Sequence, residues 1–252
     1  MPRVPSPLFR IFSQSDSGAR AARALADRFQ GTLHDADRIP RRGPALLVGN
    51  HALFGLDSVV LVSLLVAAGH RVPRFLAEKN LFRLPGLRDA LAAVGTIPGE
   101  PDEAVALLEA GELVMVYPGG VDDSFKLSTE AHTLKWGERA GFARVALRAR
   151  APIVPVAATG VDELFAVTRR EGVIGRLLLG SARYDLPLPE SLRPRRVPLD
   201  YFVLPPIAPE GEASDAEAVA RVREATYGAV ESVLRAYREQ SRGPTPNSQS
   251  KR

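Results

Sequence analysis

The sequence predicts an α/β fold, a single domain with a mostly parallel central sheet flanked by helices. Three observations carry this expectation. Apolar runs of strand length, at residues 45–49, 74–77, 95–97, 113–117 and 153–157, alternate with stretches of helical length. The first of these, Ala-Leu-Leu-Val-Gly, is continuously apolar, as a strand covered on both faces of a parallel sheet must be. The chain has 252 residues, 45% hydrophobic and 25% charged, enough for one sizeable core and too apolar for a disordered chain.

Taken in order, residues 1–40 read as a helical preamble. Ala21, Leu25 and Phe29 recur at four-residue spacing between residues 18 and 29 and predict one apolar helix face. The patch Leu8-Phe9-Arg10-Ile11-Phe12 is far shorter than a signal-peptide core, so no export is expected. The main domain is expected over residues 41–240. The apolar stretch 45–69 is broken by Asn50, His51 and Asp57, groups that a membrane-spanning helix carries at heavy cost. It therefore divides into strand, loop and a helix at 57–68, and no transmembrane helix is predicted. Further helices are expected at 80–93, 101–110 and 136–150. Residues 186–198, rich in proline and arginine, read as a surface loop. A late strand at 199–204 precedes a helix at 213–240 with a buried stripe of Val219, Val222, Tyr227, Val230, Val233, Leu234 and Tyr237. The polar, aperiodic tail 241–252 reads as disordered. There is no internal repeat.

Composition removes several kinds of chemistry. The chain has no cysteine, which excludes disulfides, thiolate nucleophiles and zinc–cysteine sites. No two histidines stand at ligand spacing, so no metal is expected. Neither a phosphate loop, a dinucleotide-binding glycine fingerprint nor a Gly-x-Ser-x-Gly elbow is present. The net charge of +4 and pI of about 9.7 suit anionic phosphate in general. Without a concentrated basic stripe interleaved with aromatics, nucleic acid is not an expected partner.

Two constellations carry chemistry. In Asn50-His51-Ala52-Leu53-Phe54-Gly55-Leu56-Asp57, a histidine follows directly on a buried strand and an aspartate lies within two turns of it. An imidazole with a carboxylate on its other nitrogen has a fixed tautomer and a stabilised imidazolium, which is what a general base needs. The same spacing also suits a structural histidine with Asp57 as a helix cap. In the second, Val116-Tyr117-Pro118-Gly119-Gly120-Val121-Asp122-Asp123, a strand runs into glycines whose amides are open to a phosphate or an oxyanion. A ligand-free glycine turn reads equally from the pattern.

Lys79, Arg83 and Arg88, interleaved with Phe82 and Leu84, suit either lipid phosphate at a bilayer interface or a solvated helix face. Lys126, Lys135 and Arg139 carry the same two readings. His34 and His70 read as surface groups, and His132 as a loop residue that is either exposed or near the site. Trp136 suits core packing or the wall of an apolar channel.

The order of these blocks resembles the glycerol-phosphate and lysophospholipid acyltransferase superfamily, and most of all its diacylglycerol-acyltransferase-like branch, which includes the phytyl ester synthases. The resemblance spans residues 45–167. It rests on Val48-Gly49-Asn50-His51 with Asp57, Gly95-Thr96-Ile97-Pro98, Val116-Tyr117-Pro118-Gly119-Gly120 and Pro152-Ile153-Val154-Pro155-Val156, with Leu134-Lys135-Trp136 and Gly141-Phe142-Ala143-Arg144-Val145-Ala146 between the last two. It implies transfer of an acyl group from acyl-CoA or acyl-carrier protein, as co-substrate and without a cofactor, to a hydroxyl of a lipid or neutral alcohol. His51 is then the general base and Asp57 its orienting partner. Asn50, Pro118, Gly119, Gly120, Asp123 and Lys79 become the candidate substrate-binding residues. It also implies a cytoplasmic protein held peripherally on the inner face of a membrane.

The departures from the superfamily pattern shape the acceptor. Five residues separate His51 from Asp57 where the superfamily has four, and Gly55 is read as absorbing the extra one. Gly95-Thr96-Ile97-Pro98-Gly99 lacks the arginine of the usual phosphate-binding motif, and Gly119 stands where the third motif has glutamate. Both favour an acceptor without a glycerol phosphate. A lysophosphatidate acyltransferase and a catalytically inactive lipid-binding homologue are the alternatives.

Overall fold

The computed structural model describes residues 15–83, 86–93, 95–172 and 185–241. The expected disordered tail therefore lies, apart from Ser241, outside the described residues, as do the first fourteen.

Helix α1 (Asp16–Arg28) begins where the Ser15 hydroxyl accepts the Gly18 N–H at 3.0 Å. Its buried stripe is Gly18, Ala22 and Ala26, continued by Phe29, and Ala21 is exposed. The face is thus one residue away from the line expected through Ala21. Small side chains on that stripe let α1 lie close against α2 (Leu56–Ala67), whose Val60, Leu61 and Leu64 share its core. The segment read as a helical preamble also carries a strand, β1 (Gly31–His34), which pairs in parallel with β9 (Leu199–Val203) at the edge of the main sheet. Four residues with one large apolar side chain, Leu33, are too few to display strand periodicity.

The remaining strands of that sheet are β2 (Ala45–Gly49), β3 (Arg74–Ala77), β4 (Ile97–Pro98), β5 (Leu113–Val116) and β6 (Ile153–Thr159). Their order is β1-β9-β6-β2-β5-β3-β4, and every pairing is parallel except that of β6 with β9. The central strands are apolar throughout because both faces are covered. Ala45, Leu47, Leu113, Met115, Val154 and Val156 face the cluster under α1 and α2. Leu46, Val48, Val114, Ile153 and Ala157 face the opposite cluster, with α4 (Pro101–Glu109), α6 (Gly141–Ala149) and α7 (Ala216–Ser241). The stripe expected on α7 is present: Val219, Val222, Val230 and Leu234 are buried, and Tyr227 and Val233 pack beside them.

Three expected elements differ. The helix expected at 80–93 is a 3-10 turn, Lys79–Arg83, and a short helix α3 (Leu87–Ala93), with residues 84 and 85 outside the described set. The helix expected from Trp136 starts at Gly141, because Trp136 turns wholly into the core and Gly137 adopts φ +53°. The expected loop at 186–198 opens with β8 (Leu186–Pro189), paired antiparallel to β7 (Val167–Glu171) in a separate ribbon. Pro187 and Pro189 hid that strand; a two-stranded ribbon tolerates them because each of its strands is an edge. Among the described residues, no helix is long and apolar enough to cross a membrane.

Candidate active site

Strand β2 lies between β5 and β6, and the register sets Val48 beside Val116 and Gly49 beside Val156. The chain leaving β2 is thus delivered next to the chain leaving β5, at the carboxyl end of the parallel strands, where α/β folds build their sites. Gly49 is required here: a Cβ on it would lie 2.5 Å from the Val156 carbonyl oxygen. Asn50 then locks β2 to β6, its Nδ2 donating to the Ala158 carbonyl at 2.9 Å and its Oδ1 accepting the Ala158 N–H at 2.8 Å. Asn50 is buried and serves as a strand clamp, in contrast to the substrate contact expected of it.

His51 follows the clamp. Its Nδ1 lies 2.9 Å from Asp57 Oδ2, its ring stacks on Tyr117 at 4.2 Å between centroids, and its backbone N–H donates to Asp123 Oδ2 at 2.9 Å. The ring remains 20% exposed, and Nε2 makes no hydrogen bond to the described residues. Between His51 and Asp57 the chain makes a 3-10 turn, Leu53–Gly55, with two successive left-handed residues, Phe54 at φ +62° and Gly55 at φ +67°. The non-glycine member of this pair, Phe54, carries strain of about 1–2 kcal/mol. Gly55, not Asp57, is the cap of α2. Asp57 occupies the first helical turn, buried, where the helix dipole favours its charge. The buried Tyr201 hydroxyl on β9 fixes that turn by donating to the Asp57 carbonyl at 2.8 Å.

The electrostatics follow from this arrangement. Burial pulls the His51 pKa down, but the charge of Asp57 and its hydrogen bond, helped by Asp123, outweigh burial and the opposing Lys126, and the net pKa is raised above 6.5. Tyr117 is pushed well above its ordinary value by burial and then by Asp57, so it stays protonated. Its hydroxyl sits 2.9 Å from that of Ser58. With Nδ1–H held by the carboxylate, Nε2 is the ring nitrogen left to accept a proton.

The Pro118-Gly119-Gly120 loop is less open than the sequence suggests. Pro118 and Gly119 are buried, and the Gly120 N–H already donates to the Tyr117 carbonyl at 3.0 Å. A Cβ on Gly119 would stand 2.2 Å from Asp123 Cβ, so this glycine makes room for Asp123. Asp123, on the short helix α5 (Gly120–Ser124), is fully buried. Its Oδ1 accepts the Lys135 N–H at 3.2 Å and pairs with Lys126 Nζ at 3.2 Å. Lys126 is buried too, bridging to Asp162 at 3.0 Å, which removes the solvated reading of that lysine.

His132, read as either exposed or near the site, is buried with Nε2 3.0 Å from Glu163. Trp136 is a core residue, edge-on to Phe142 and Tyr227 at 5.6 Å each. Lys79 stands apart: its side chain is 64% exposed and meets Glu100 at 3.5 Å. Of the expected residues, then, His51, Asp57, Asp123 and Gly119 come together, with Asn50 buried directly behind His51 and Lys79 not joining them. Tyr117, Tyr201, Lys126 and Asp162 were not anticipated as parts of the site. Only Tyr117 had a usable signal, its place immediately before Pro118-Gly119-Gly120. Among the described residues, no group of three or more His, Cys, Asp or Glu could hold a metal ion.

Comparison with known proteins places this arrangement. Residues 30–159, just over half of the chain, match the family model described as Acyltransferase. The chain belongs to the acyltransferase family. Among relatives in that family, a bovine (Bos taurus) protein named DGAT1/2-independent enzyme synthesizing storage lipids is 32% identical over 133 residues, covering 53% of this chain and 40% of that one. Phytyl ester synthase 2 of Arabidopsis thaliana is 32% identical over 141 residues, covering 52% of this chain and 20% of its own length. An uncharacterized protein of Mycobacterium tuberculosis is 33% identical over 178 residues, covering 69% of this chain and 46% of its own. The chain spans less than half the length of these relatives. The crystal structure of the 1-acyl-sn-glycerophosphate (LPA) acyltransferase PlsC from Thermotoga maritima shares the fold, with a TM-score of 0.55 and 17% identity over 90% of this chain and 86% of that one. The acyltransferase family and the single-domain α/β fold expected from sequence are thus both found.

Proposed function

We propose that the chain transfers a fatty acyl group from an acyl thioester, on coenzyme A or acyl-carrier protein, to the hydroxyl of a lipid or neutral alcohol at a membrane surface. The observation that carries this reading is the His51–Asp57 pair at 2.9 Å with Nε2 left open at the carboxyl end of the sheet. His51 Nε2 takes the acceptor proton as the acceptor oxygen bonds to the thioester carbonyl carbon. When the tetrahedral intermediate collapses, the C–S bond breaks and the leaving thiolate takes that proton back from the imidazolium. No acyl-enzyme is required, in keeping with a chain that has no cysteine. A neutral acceptor fits Gly119 and an arginine-free 95–99 segment. The names of the storage-lipid enzyme and phytyl ester synthase relatives point the same way.

The membrane-surface part rests on the rim of the site. Phe54, three residues from His51, is 60% exposed and meets Phe165 edge-on at 5.2 Å. The loop carrying Leu192, 77% exposed, and the exposed Arg193, Arg195 and Arg196 is tied to the same place, the Arg195 N–H donating to the Leu164 carbonyl at 2.8 Å. Apolar tips flanked by arginines suit an anionic lipid surface such as a cytoplasmic leaflet.

The test is thiol release by purified protein given acyl-CoA or acyl-carrier protein with a panel of neutral alcohols, diacylglycerol and lysophosphatidate. His51→Ala is expected to lower turnover about 1,000-fold. Retained turnover in that variant would overturn the reading. A strict preference for lysophosphatidate would favour the phosphate-bearing acceptor instead, and binding to lipid vesicles with no thiol release from any donor would mark an inactive lipid-binding homologue.

A further inference from the structure

We propose that Asp123 is a positioning residue for His51, its buried carboxylate fixing the peptide that carries the base while Lys126 and Asp162 fix the carboxylate. The proposal deepens the reading of His51 as the base and rests on it.

Three charged side chains lie out of water directly behind the catalytic peptide. Asp123 Oδ2 accepts the His51 N–H at 2.9 Å. Its Oδ1 accepts the Lys135 N–H at 3.2 Å and meets Lys126 Nζ at 3.2 Å. Lys126 Nζ also reaches Asp162 Oδ2 at 3.0 Å and the Thr133 carbonyl at 3.1 Å, and the same Asp162 oxygen accepts the His132 N–H at 2.7 Å. Asp123, Lys126 and His132 are buried, and the Asp162 side chain is almost wholly so. A buried ionic cluster of this kind is poor at stabilising a fold, since well-packed apolar side chains of the same size do as well or better. Its place one peptide behind the base gives it a different use. A carboxylate gripping the His51 N–H restrains the backbone from which the ring is aimed, so the ring meets Asp57 with one nitrogen and turns the other outward.

Two further observations support the role. Gly119 leaves the space that Asp123 occupies, since a Cβ there would lie 2.2 Å from Asp123 Cβ and 2.8 Å from its Cγ. The glycine that replaces an acid in the third sequence block is thus the vacancy that another acid fills from four residues further on. The cluster is also tied outward to the last turns of α7. Tyr237 donates to Glu163 at 3.1 Å, Glu163 meets His132, and Arg238 donates to the His132 carbonyl. Burial pushes the Asp123 pKa up and Lys126 opposes that rise, while both aspartates favour the charged form of Lys126. The charge of Asp123 in turn adds to the rise in His51.

The test is Asp123→Asn, read by kcat, KM, the pH profile of kcat/KM and the His51 backbone amide in NMR spectra of the full chain. Displacing the base is expected to lower kcat about 100-fold with KM for acyl-CoA held within about twofold. The acid limb should move to lower pH, because a negative charge facing the ring is lost while Asp57, Lys126 and Tyr117 remain. The His51 amide proton is expected far downfield and slow to exchange in the wild type, and should move upfield in the variant. A folded variant with unchanged kcat, acid limb and amide shift would overturn the proposal, because a purely structural residue lowers melting temperature without moving any of them. If the variant does not fold, the wild type decides: a His51 amide at an ordinary shift that exchanges freely sinks the idea. The amide readout needs no turnover, so it separates failure of this proposal from failure of the acyltransfer reading.

Discussion

The loops leaving β2 and β5 lie side by side at one end of the sheet, yet they are built in opposite ways. The β2 loop keeps one ring nitrogen open, His51 Nε2, above a minimal support of one carboxylate and one aromatic ring. The β5 loop is committed inward: Gly119 to Asp123, Gly120 to a turn, Asp123 to the backbone of its neighbour. The first loop turns a ring nitrogen outward, and the second anchors the peptide that carries that ring. Glycines in a strand–glycine loop are easily taken for a ligand cradle; here one of them is space reserved for a buried acid.

The sharpest way to break this division is Asp57→Asn, which removes the group that orients the base. The loss of kcat is expected to be about 100-fold or more, because the ring loses the partner that fixes its tautomer. The pH dependence gives an independent sign. In the proposed role His51 works only when neutral, so kcat/KM is expected to rise with pH through its raised pKa, and removing Asp57 should carry that acid limb to lower pH. Stability moves the other way. A raised folded pKa adds stability that is full below the unfolded value and fades as pH rises through the folded one. Asp57→Asn should therefore cost most at acid pH, as denaturant melts at pH 5 and pH 8 will report.

Gly119→Ala tests the inward loop. The added methyl must displace Asp123, with about 1–3 kcal/mol of overpacking and a fall in kcat that accompanies it. A variant with wild-type melting and turnover would show the space to be idle. Asn50→Ala separates clamp from chemistry: two buried hydrogen bonds to Ala158 are lost, about 1 kcal/mol each. The expected effect is a lower melting temperature with KM nearly unchanged; a large rise in KM would restore Asn50 to substrate binding. The smallest effect is expected from Lys79→Ala, whose exposed pair with Glu100 contributes little, so turnover should stay within about twofold.

Much of this was legible in the chain itself. The central strands could be read because burial on both faces makes them continuously apolar, and the base pair because His51 and Asp57 are close in sequence. The partners that act across the sheet left no local trace. Lys126 looks like any loop lysine until the fold sets it between Asp123 and Asp162, and Tyr201 looks like a strand aromatic until its hydroxyl meets the Asp57 carbonyl. The edge elements were the hardest. β1 is too short to show a period, and the prolines of β8 argue for a loop unless its pairing partner is known.

The Tyr201 hydrogen bond also bears on how the protein comes into being. It joins residues 144 positions apart, and the Asn50–Ala158 clamp spans 108. During synthesis His51 emerges early and Tyr201 late, so a nascent chain halted before β9 holds His51 and Asp57 without the Tyr201 bond to the Asp57 carbonyl. The turn that carries Asp57 is thus anchored only once β9 has joined the sheet, the last of its strands to be made.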